Sequence, residues 1–178
     1  YYTHQILSDN FINNLPVYYN HSVSDYIFEH LNTSHLECVN CTNITIRNCN
    51  VSIDGLRVKY ITNSTISSNY IFNITYINSP GLYVYGASNL IISNNILEDP
   101  LQGNGIYLSY SSGSGLGNIS VENNTIYKTT GSWSGIEDYA TADVTIKNNN
   151  ITRSGCQYYA SAINLRSASL VENNTVYG

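Results

Sequence analysis

Two basic residues and two adjacent acids are the side chains of this sequence best suited to acid–base chemistry. Arg57 and Lys59 are two positions apart, and Glu137 is followed directly by Asp138. Such groups can protonate a leaving group or stabilise a developing negative charge. Hydrolysis of a glycosidic bond needs two carboxylates that face each other, whereas the other acids of the chain are scattered. These four residues are therefore catalytic candidates only if the chain is an enzyme.

Asp138 stands out because the chain contains a repeated sequence phrase, described below. The other copies of this phrase carry an apolar residue at the position of Asp138. The equivalent residues are Val58, Val84, Leu108 and Leu165. A buried carboxylate needs hydrogen-bond partners or a raised pKa. We expect a local bulge that turns Asp138 outward. If it is instead buried near Glu137 and Tyr139, it is the best candidate for a functional carboxylate.

Tyrosine is abundant, with 17 residues in the chain. Four tyrosines are candidates for carbohydrate contact, because an aromatic face can lie on the apolar face of a pyranose ring. They are Tyr83, Tyr85, Tyr107 and Tyr139. Tyrosine also favours β-strands, so the favoured alternative is a solvent-facing sheet in which these side chains are structural.

Eleven Asn-x-Ser/Thr motifs are candidate N-glycosylation sites. They begin at Asn20, Asn32, Asn40, Asn43, Asn50, Asn63, Asn73, Asn118, Asn123, Asn150 and Asn173. A repeat that contains Asn-Asn-Thr also creates such motifs for structural reasons, so this alternative stays open. Covalent glycans would place the chain outside the cell.

The cysteines and histidines favour structural roles over a metal site. Cys38 and Cys41 form one Cys-x-x-Cys pair, whereas zinc sites of this type use a second pair. A local Cys38–Cys41 disulfide and a buried Cys38 thiol are both open. The histidines near the start lack an evident set of partnering carboxylates; they are His21, His30 and His35. No metal and no cofactor is predicted.

Cys156 lies four repeats beyond the other cysteines. At the strand spacing of a sheet, four stacked repeats separate two residues by about 19 Å. A disulfide requires Cα atoms within about 7 Å. We therefore expect Cys156 to be a free thiol or to bond to another chain or domain.

A repeated sequence phrase predicts the secondary structure elements that position these residues. It consists of an aliphatic residue, two mostly polar residues, Asn, one free residue and another aliphatic residue. The strongest copies start at Val121, Ile146 and Val171, looser ones at Ile92, Ile66 and Ile46, and degenerate ones at Ile27 and Leu7. The starts lie 19 to 29 residues apart, a period typical of stacked units.

A second phrase precedes the first by about ten residues: a small or turn residue, an aliphatic residue, a free residue and a mostly apolar residue. Its copies begin at Gly55, Gly81, Gly105, Gly135 and Ala162. Each repeat then holds three short segments of period 2, which is typical of strands. Such strands bury their apolar faces if the chain coils and each strand pairs with its equivalent one turn later. The pattern therefore predicts a parallel β-helix.

The Asn of the first phrase predicts a structural ladder. Asn tolerates the left-handed backbone of a tight corner, and its amide can bond to the Asn residues above and below. The ladder positions are Asn10, Asn69, Asn95, Asn124, Asn149 and Asn174, with His30 and Cys49 replacing Asn in two coils. A second polar column is predicted at Asn43, Asn63, Asn89, Asn118 and Asp143.

With these phrases the chain resembles the pectate-lyase-like superfamily of right-handed parallel β-helix repeats over essentially its whole length. The resemblance implies an all-β, single-stranded right-handed parallel β-helix of about seven to eight coils with three short strands per coil. It does not imply one activity, because the superfamily includes lyases, hydrolases, adhesins and viral spikes. The paired-aspartate and His-Gly signatures of polygalacturonases are not found, and neither is a lyase-like set of calcium-binding acids beside a catalytic Arg.

Composition narrows the function classes. The chain has 7 Lys and Arg against 12 Asp and Glu, and its net charge is −5. It therefore lacks the basic surface of a nucleic-acid-binding protein. No apolar run is long enough to span a membrane. Only 11% of residues are charged, so uncharged polar groups dominate, which favours an extracellular or cell-surface location.

Residues 1–178 are predicted to form one β-helix domain with uncovered ends, as part of a longer chain or an assembly. We expect a non-enzymatic, glycosylated subunit of a cell-surface layer, sheath or filament, with copies of itself as end-to-end and lateral partners. A second hypothesis is a polysaccharide-binding or polysaccharide-degrading β-helix that uses the Tyr-rich sheet. A weaker one is a viral surface or tail spike.

Overall fold

The computed structural model describes residues 10–76, 78–100, 103–109, 117–131, 133–139, 143–156, 161–165 and 169–178. Within these ranges the chain is built of strands, turns and bends, and it contains no helix that could cross a membrane. The strands are β1 Phe11–Ile12, β2 Leu15–His21, β3 Ile27–Glu29, β4 Asn32–Val39, β5 Thr45–Arg47, β6 Asn50–Lys59, β7 Thr62–Ser67, β8 Tyr70–Ile74, β9 Leu82–Tyr85, β10 Ser88–Ser93, β11 Ile96–Pro100, β12 Ile106–Ser109, β13 Ile119–Glu122, β14 Thr125–Gly131, β15 Ile136–Tyr139, β16 Val144–Lys147, β17 Asn150–Cys156, β18 Ile163–Leu165, β19 Ser169–Glu172 and β20 Thr175–Tyr177.

The strands form a parallel β-helix, as predicted. A seven-stranded sheet runs β3-β5-β7-β10-β13-β16-β19, and a 13-stranded sheet joins the two other walls through the long strands β4 and β6. Each strand pairs in parallel with its equivalent in the next coil, as β9 with β12, β10 with β13 and β11 with β14. The antiparallel β1–β2 hairpin departs from this scheme. The long strands β4 and β6 each contribute to two neighbouring coils. Counted in this way, the described strands form seven coils with three strands in each coil.

The pleat of these short strands sends alternate residues into one continuous core. Leu56, Leu82, Ile106 and Ile136 are in register in successive coils and are fully buried. Each buried aliphatic side chain of this size contributes about 1.5–3 kcal/mol relative to its exposed state. A single coil has no partner for its inward face, so this stabilisation arises only when coils stack.

Five residues form the asparagine ladder: Asn69, Asn95, Asn124, Asn149 and Asn174. In each of the first four, the side-chain Nδ2 and the backbone N–H both donate to Oδ1 of the next Asn, at 2.9–3.0 Å. Each Nδ2 also donates to a backbone carbonyl of the preceding coil, as Asn124 does to Ile92 at 3.0 Å. These first four side chains are buried, and their amides are satisfied by the stack itself. The predicted ladder is confirmed at these positions.

Three details of the predicted ladder are wrong. The left-handed residues are those just before it, Asn94, Asn123, Asn148 and Asn173, with φ between 53° and 56°. His30 is likewise left-handed, so Leu31 takes the ladder position and its carbonyl accepts from Asn50 N–H at 2.7 Å. Asn10 lies before the antiparallel hairpin, where its carbonyl accepts from Val17 N–H, and Leu31, at the next ladder position, has no acceptor in its side chain. Cys49 does stand in the ladder, donating its N–H to Asn69 Oδ1 at 3.0 Å.

The second polar column lies at an exposed left-handed corner. Asn118 Nδ2 donates to Asn89 Oδ1 at 3.2 Å, and Asn89 Nδ2 donates to Asn63 Oδ1 at 3.0 Å. Asn43 instead donates to Asp25 Oδ1 at 2.5 Å. All these residues have φ between 49° and 59°, so small polar side chains are placed here by backbone geometry as well as by their hydrogen bonds.

Cys38 and Cys41 form a disulfide, one of the two predicted alternatives, and both residues are buried. Cys49 is a buried free thiol whose pKa is raised by burial. Cys156 ends β17, and its side chain lies outside the described part of the structure, so its predicted bond to another chain stays a prediction.

The ladder makes a direct prediction about stability. Replacing Asn124 by Ala leaves the N–H groups of Asn95 without their acceptor and removes the Asn124 amide, and each buried polar group left unpaired costs about 1–3 kcal/mol. We expect the Asn124→Ala variant to unfold in urea at a clearly lower midpoint, while Asn32→Ala, an exposed position at the start of β4, changes it little. Equal midpoints for the two variants would contradict the role of the ladder.

Candidate functional site

The outer face of the wall formed by β4, β6, β9, β12, β15 and β18 collects most of the side chains that could do chemistry. Register aligns Glu37, Arg57, Tyr83, Tyr107 and Glu137 in one column across successive coils. The next outward column contains Val39, Lys59, Tyr85, Ser109 and Tyr139. The period-2 alternation predicted for the second phrase accounts for both columns, because their members lie at outward positions two residues apart along each strand.

Six residues at one end of this face form a charged cluster: His35, Glu37, Asp54, Arg57, Lys59 and Ser79. Lys59 Nζ lies 2.6 Å from Glu37 Oε1, and Arg57 Nη2 donates to Asp54 Oδ1 at 2.7 Å. The ring of His35 stands between the two carboxylates. Its Nε2 is 3.3 Å from Glu37 Oε2, and its Nδ1 is 3.2 Å from Asp54 Oδ2. The latter contact is too bent for a hydrogen bond, so we treat it as an ion pair.

An irregular turn inside β6 brings Asp54 into the cluster. The β4–β6 register shifts between Thr33 and His35, so that Ser52, Ile53 and Asp54 of β6 lie opposite Ser34 alone. Ile53 has a φ of 69°, which is unusual for a β-branched residue. Gly55 follows with a φ of 80°, and a Cβ there would approach the Gly81 carbonyl oxygen to 2.6 Å. Backbone strain of this kind persists only where the surroundings enforce it. Here it holds the Asp54 carboxylate over His35 and Arg57.

The charged cluster shifts the pKa values of its members. Burial lowers the pKa of His35, but the Asp54 and Glu37 carboxylates outweigh burial and raise it above its ordinary value of 6.5. Burial opposes ionisation of Glu37, but His35 and Lys59 lower its pKa from 4.5 to about 2. The pKa of Asp54 is also lowered, because His35 and Arg57 outweigh the effect of burial. Imidazolium and carboxylates therefore stabilise each other near neutral and mildly acidic pH.

Each ionised side chain of the charged cluster has an opposite charge within 3.3 Å. A general base must have a lone pair available to the substrate, and here the carboxylate oxygens face cations. The arrangement suits a clamp between coils, since it ties β4 to β6 and, through Arg57 Nη2 and Ser79 Oγ at 2.9 Å, to the segment before β9. It can also present positive charge, because Lys59 is only partly covered.

The four predicted tyrosines form a tyrosine column beside the charged cluster: Tyr83, Tyr85, Tyr107 and Tyr139. Tyr83 stacks on Tyr107 with ring centroids 5.7 Å apart and on Tyr85 at 6.3 Å. Tyr107 lies 6.4 Å from Tyr139 in a tilted arrangement. The faces of the central rings are thus directed at neighbouring tyrosines. A pyranose ring would have to bind at the ends of the column or through the hydroxyl groups.

The four catalytic candidates, Arg57, Lys59, Glu137 and Asp138, do not lie together. Two coils of tyrosines separate the basic pair from Glu137, which accepts from Asn164 Nδ2 at 3.3 Å. The expected bulge at Asp138 is also wrong, because Asp138 stays in register with Leu108 and is 0% exposed. The regular pairing of β12 with β15 keeps its side chain inside the coil.

Three members of the charged cluster were missed as site residues from sequence alone: His35, Asp54 and Ser79. His35 was interpreted as structural for want of carboxylates, because Asp54 reaches it only through the turn at Ile53. The opposite charges of Glu37 and Arg57 in one column were the available signal. Among the described residues, no group of three or more His, Cys, Asp or Glu side chains is suited to a metal ion.

One comparison with known proteins gives a match. A family model described as "Right handed beta helix region" matches residues 54–178, from the turn of the charged cluster to the last coil. Neither a curated protein nor a solved structure gives a significant match.

The charged cluster predicts how stability varies with pH. His35 has a raised pKa, so its contribution is present below its unfolded value of 6.5 and is lost as the pH rises through the folded pKa. Glu37 has a lowered pKa, so its contribution is present above 4.5 and is lost as the pH falls toward about 2. The cluster should stabilise the fold most between these two unfolded values.

A titration of the imidazole Cε1 protons by NMR tests this directly. We expect a pKa above 6.5 for His35, and a His35→Gln variant whose unfolding free energy changes less between pH 6 and 9 than that of the parent. His30→Asn is the matched control, since His30 is exposed and Asn accepts its left-handed backbone. A His35 pKa at or below its ordinary value would contradict the described clamp.

Proposed function

Because the chain belongs to the right-handed beta helix family, we propose that it is a structural, non-enzymatic subunit of an extracellular layer, sheath or filament. In this proposal the subunit assembles head to tail with copies of itself. The dependence of each coil on its neighbour carries the proposal, and the chemistry of the described surface supports it.

The observation that carries the proposal is that each described coil depends on its neighbour for apolar burial and for the hydrogen bonds of the asparagine ladder. Leu165, Val171 and Val176 occupy inward positions, in register with Asp138, Ile146 and Ile151. The preceding three residues are 0% exposed, whereas the last three are 38%, 39% and 52% exposed. Apolar side chains aimed along the axis of the stack are suited to contact with another coil.

The asparagine ladder adds direction to this surface. In every earlier rung the backbone N–H donates to Oδ1 of the next Asn. Asn174 accepts from Asn149 through its own Oδ1, and its N–H has no such acceptor among the described residues. A coil added here gains both apolar burial and a hydrogen bond. Unpaired strand edges of this kind template the addition of further strands.

The other end of a head-to-tail contact is the first described coil, where Phe11 in β1 is 60% exposed. Contact between two different ends of a molecule is heterologous, and repetition of such a contact gives rings or open filaments. We therefore favour head-to-tail growth over a closed dimer.

Three features support an extracellular, non-catalytic role. The Cys38–Cys41 disulfide suits an oxidising compartment, and uncharged polar residues dominate the sequence. In the charged cluster, the ionised side chains compensate one another instead of leaving a carboxylate or imidazole open to a substrate. The proposal therefore assigns this cluster to coil stability.

Electron microscopy of the purified chain tests the assembly. We expect filaments that grow with concentration, and a Val176→Asp variant that needs at least about tenfold more protein to assemble, equivalent to about 1.4 kcal/mol per contact. Leu170→Asp is the matched control, because Leu170 is 56% exposed but lies outward on the seven-stranded sheet. A parent chain that remains monomeric, or a Val176→Asp variant that assembles normally, would contradict the proposal.

The second candidate function is polysaccharide binding by the outer face of β6, β9, β12 and β15. The observation that favours it is the adjacency of the tyrosine column to the partly exposed Lys59. Titration calorimetry with neutral and acidic oligosaccharides distinguishes this candidate. Binding by a monomeric chain that is lost in Tyr107→Ala and retained in Val176→Asp would replace the assembly proposal with this one.

A further inference from the structure

Asn73 is set apart from the other ten Asn-x-Ser/Thr motifs by its backbone. Ser52 pairs with Phe72 and Ile53 pairs with Ile74, so Asn73 is the extra residue of a β-bulge in β8. Its φ is 52° and its side chain is exposed. A β-bulge changes the direction of side chains that a regular strand would place alternately on its two faces. Here the bulge turns an amide outward between two residues that pair normally.

Asn73 lines a recess of about 210 Å³ together with Tyr70, Phe72 and Glu98. Tyr70 and Phe72 stack with their ring centroids 4.6 Å apart and their planes within 10° of parallel. The Tyr70 hydroxyl donates to Glu98 Oε2 across the strand pair, and this bond raises the pKa of Tyr70. The recess therefore combines aromatic surface, a carboxylate and an amide in a space comparable to one sugar ring.

The side chains of several other motifs are already engaged in the coil. Asn43 Nδ2 donates to Asp25, and Asn118 Nδ2 donates to Asn89. Asn20 Nδ2 and Asn150 Oδ1 are buried. Asn73 combines three features: its amide makes no hydrogen bond within the described structure, it is the extra residue of a bulge, and it lines a recess. The repeat explains the motifs that use ladder or corner positions, but it does not explain an Asn at a bulge.

We propose that Asn73 carries an N-linked glycan whose first sugar, an N-acetylhexosamine, packs in this recess against Tyr70 and Phe72. The inference rests on the extracellular location in the proposed function. Apolar C–H groups on one sugar face suit the aromatic surface, and the hydroxyl and acetamide groups suit the Glu98 carboxylate as hydrogen-bond donors. The motif Asn73-Ile74-Thr75 supplies the acceptor sequence.

The covalent step needs a sugar donor, which would be a polyprenyl-diphosphate-linked oligosaccharide of the secretory pathway. Asn73 Nδ2 forms a bond to the anomeric carbon of the first sugar as the bond from that carbon to the diphosphate breaks. Nδ2 loses one hydrogen as a proton, and the polyprenyl diphosphate leaves with the bonding electron pair. The remaining Nδ2 hydrogen stays available as a donor.

Secretion of the chain from eukaryotic cells, followed by peptide mass spectrometry after enzymatic deglycosylation in H₂¹⁸O, tests occupancy. We expect ¹⁸O at residue 73, and its loss in the Thr75→Ala variant, which destroys the motif and keeps Asn73. Thr125→Ala is the matched control, because it removes the motif at Asn123, an exposed residue with a similar φ of 56°.

Contact with the recess has its own readouts. The N-acetyl methyl protons of the first sugar should shift upfield beside the aromatic rings, and Phe72→Ala should abolish that shift without reducing occupancy. Glycan at Asn73 should raise the melting temperature by about 2–4 °C, the range that corresponds to a modest stabilisation in a domain of this size. Glycan at Asn123 should change the melting temperature less.

The glycan at Asn73 and the growth of filaments are tested by independent outcomes. An empty Asn73 beside occupied motifs elsewhere would overturn the inference and leave the extracellular location intact. An occupied Asn73 with an unshifted N-acetyl methyl signal would overturn the contact with Tyr70 and Phe72. Sugar at none of the motifs would also overturn the inference, whereas filament growth is measured without reference to sugar.

Discussion

Stacking of one coil on the next is the constraint on which this structure depends. An inward Leu or Ile is buried only by its equivalents above and below, and a ladder Asn is satisfied only by the Asn of the adjacent coil. Removing a coil therefore leaves both apolar surface and unpaired amides. The same dependence makes the exposed inner face at Val171 and Val176 the most informative surface of the molecule, because it shows what each coil requires and what a further coil would provide.

The outer face carries residues that the stack does not explain, and they serve different purposes. The charged cluster pairs its ionised groups internally and depends on a strained turn at Ile53. In the tyrosine column, Tyr83 stacks on Tyr107 of the next coil and on Tyr85 of its own strand. The bulge at Asn73 places an exposed amide beside a recess. A β-helix can thus be specified almost entirely by its inner positions while its outer face acquires separate local roles.

Much of the fold could be predicted from the sequence because the repeat acts at short range. The period of the phrases gave the parallel β-helix, and the alternation within Gly-Ile-x-Leu gave the column from Arg57 to Glu137. The charged cluster was not predictable in the same way, since Asp54 reaches His35 only through a turn between strands 20 residues apart in sequence. Asp138 was misplaced because regular pairing outweighed the expected avoidance of a buried carboxylate. Asn10 was misplaced because the β1–β2 hairpin interrupts the coil.

The central claim is that coil stacking continues from one molecule to the next, and fibre diffraction from oriented, concentrated protein tests it most directly. The account predicts a sharp reflection at about 4.8 Å along the fibre axis, from particles many times longer than one chain. A pattern with strands running along the axis, or particles limited to the length of a single chain at every concentration, would contradict it.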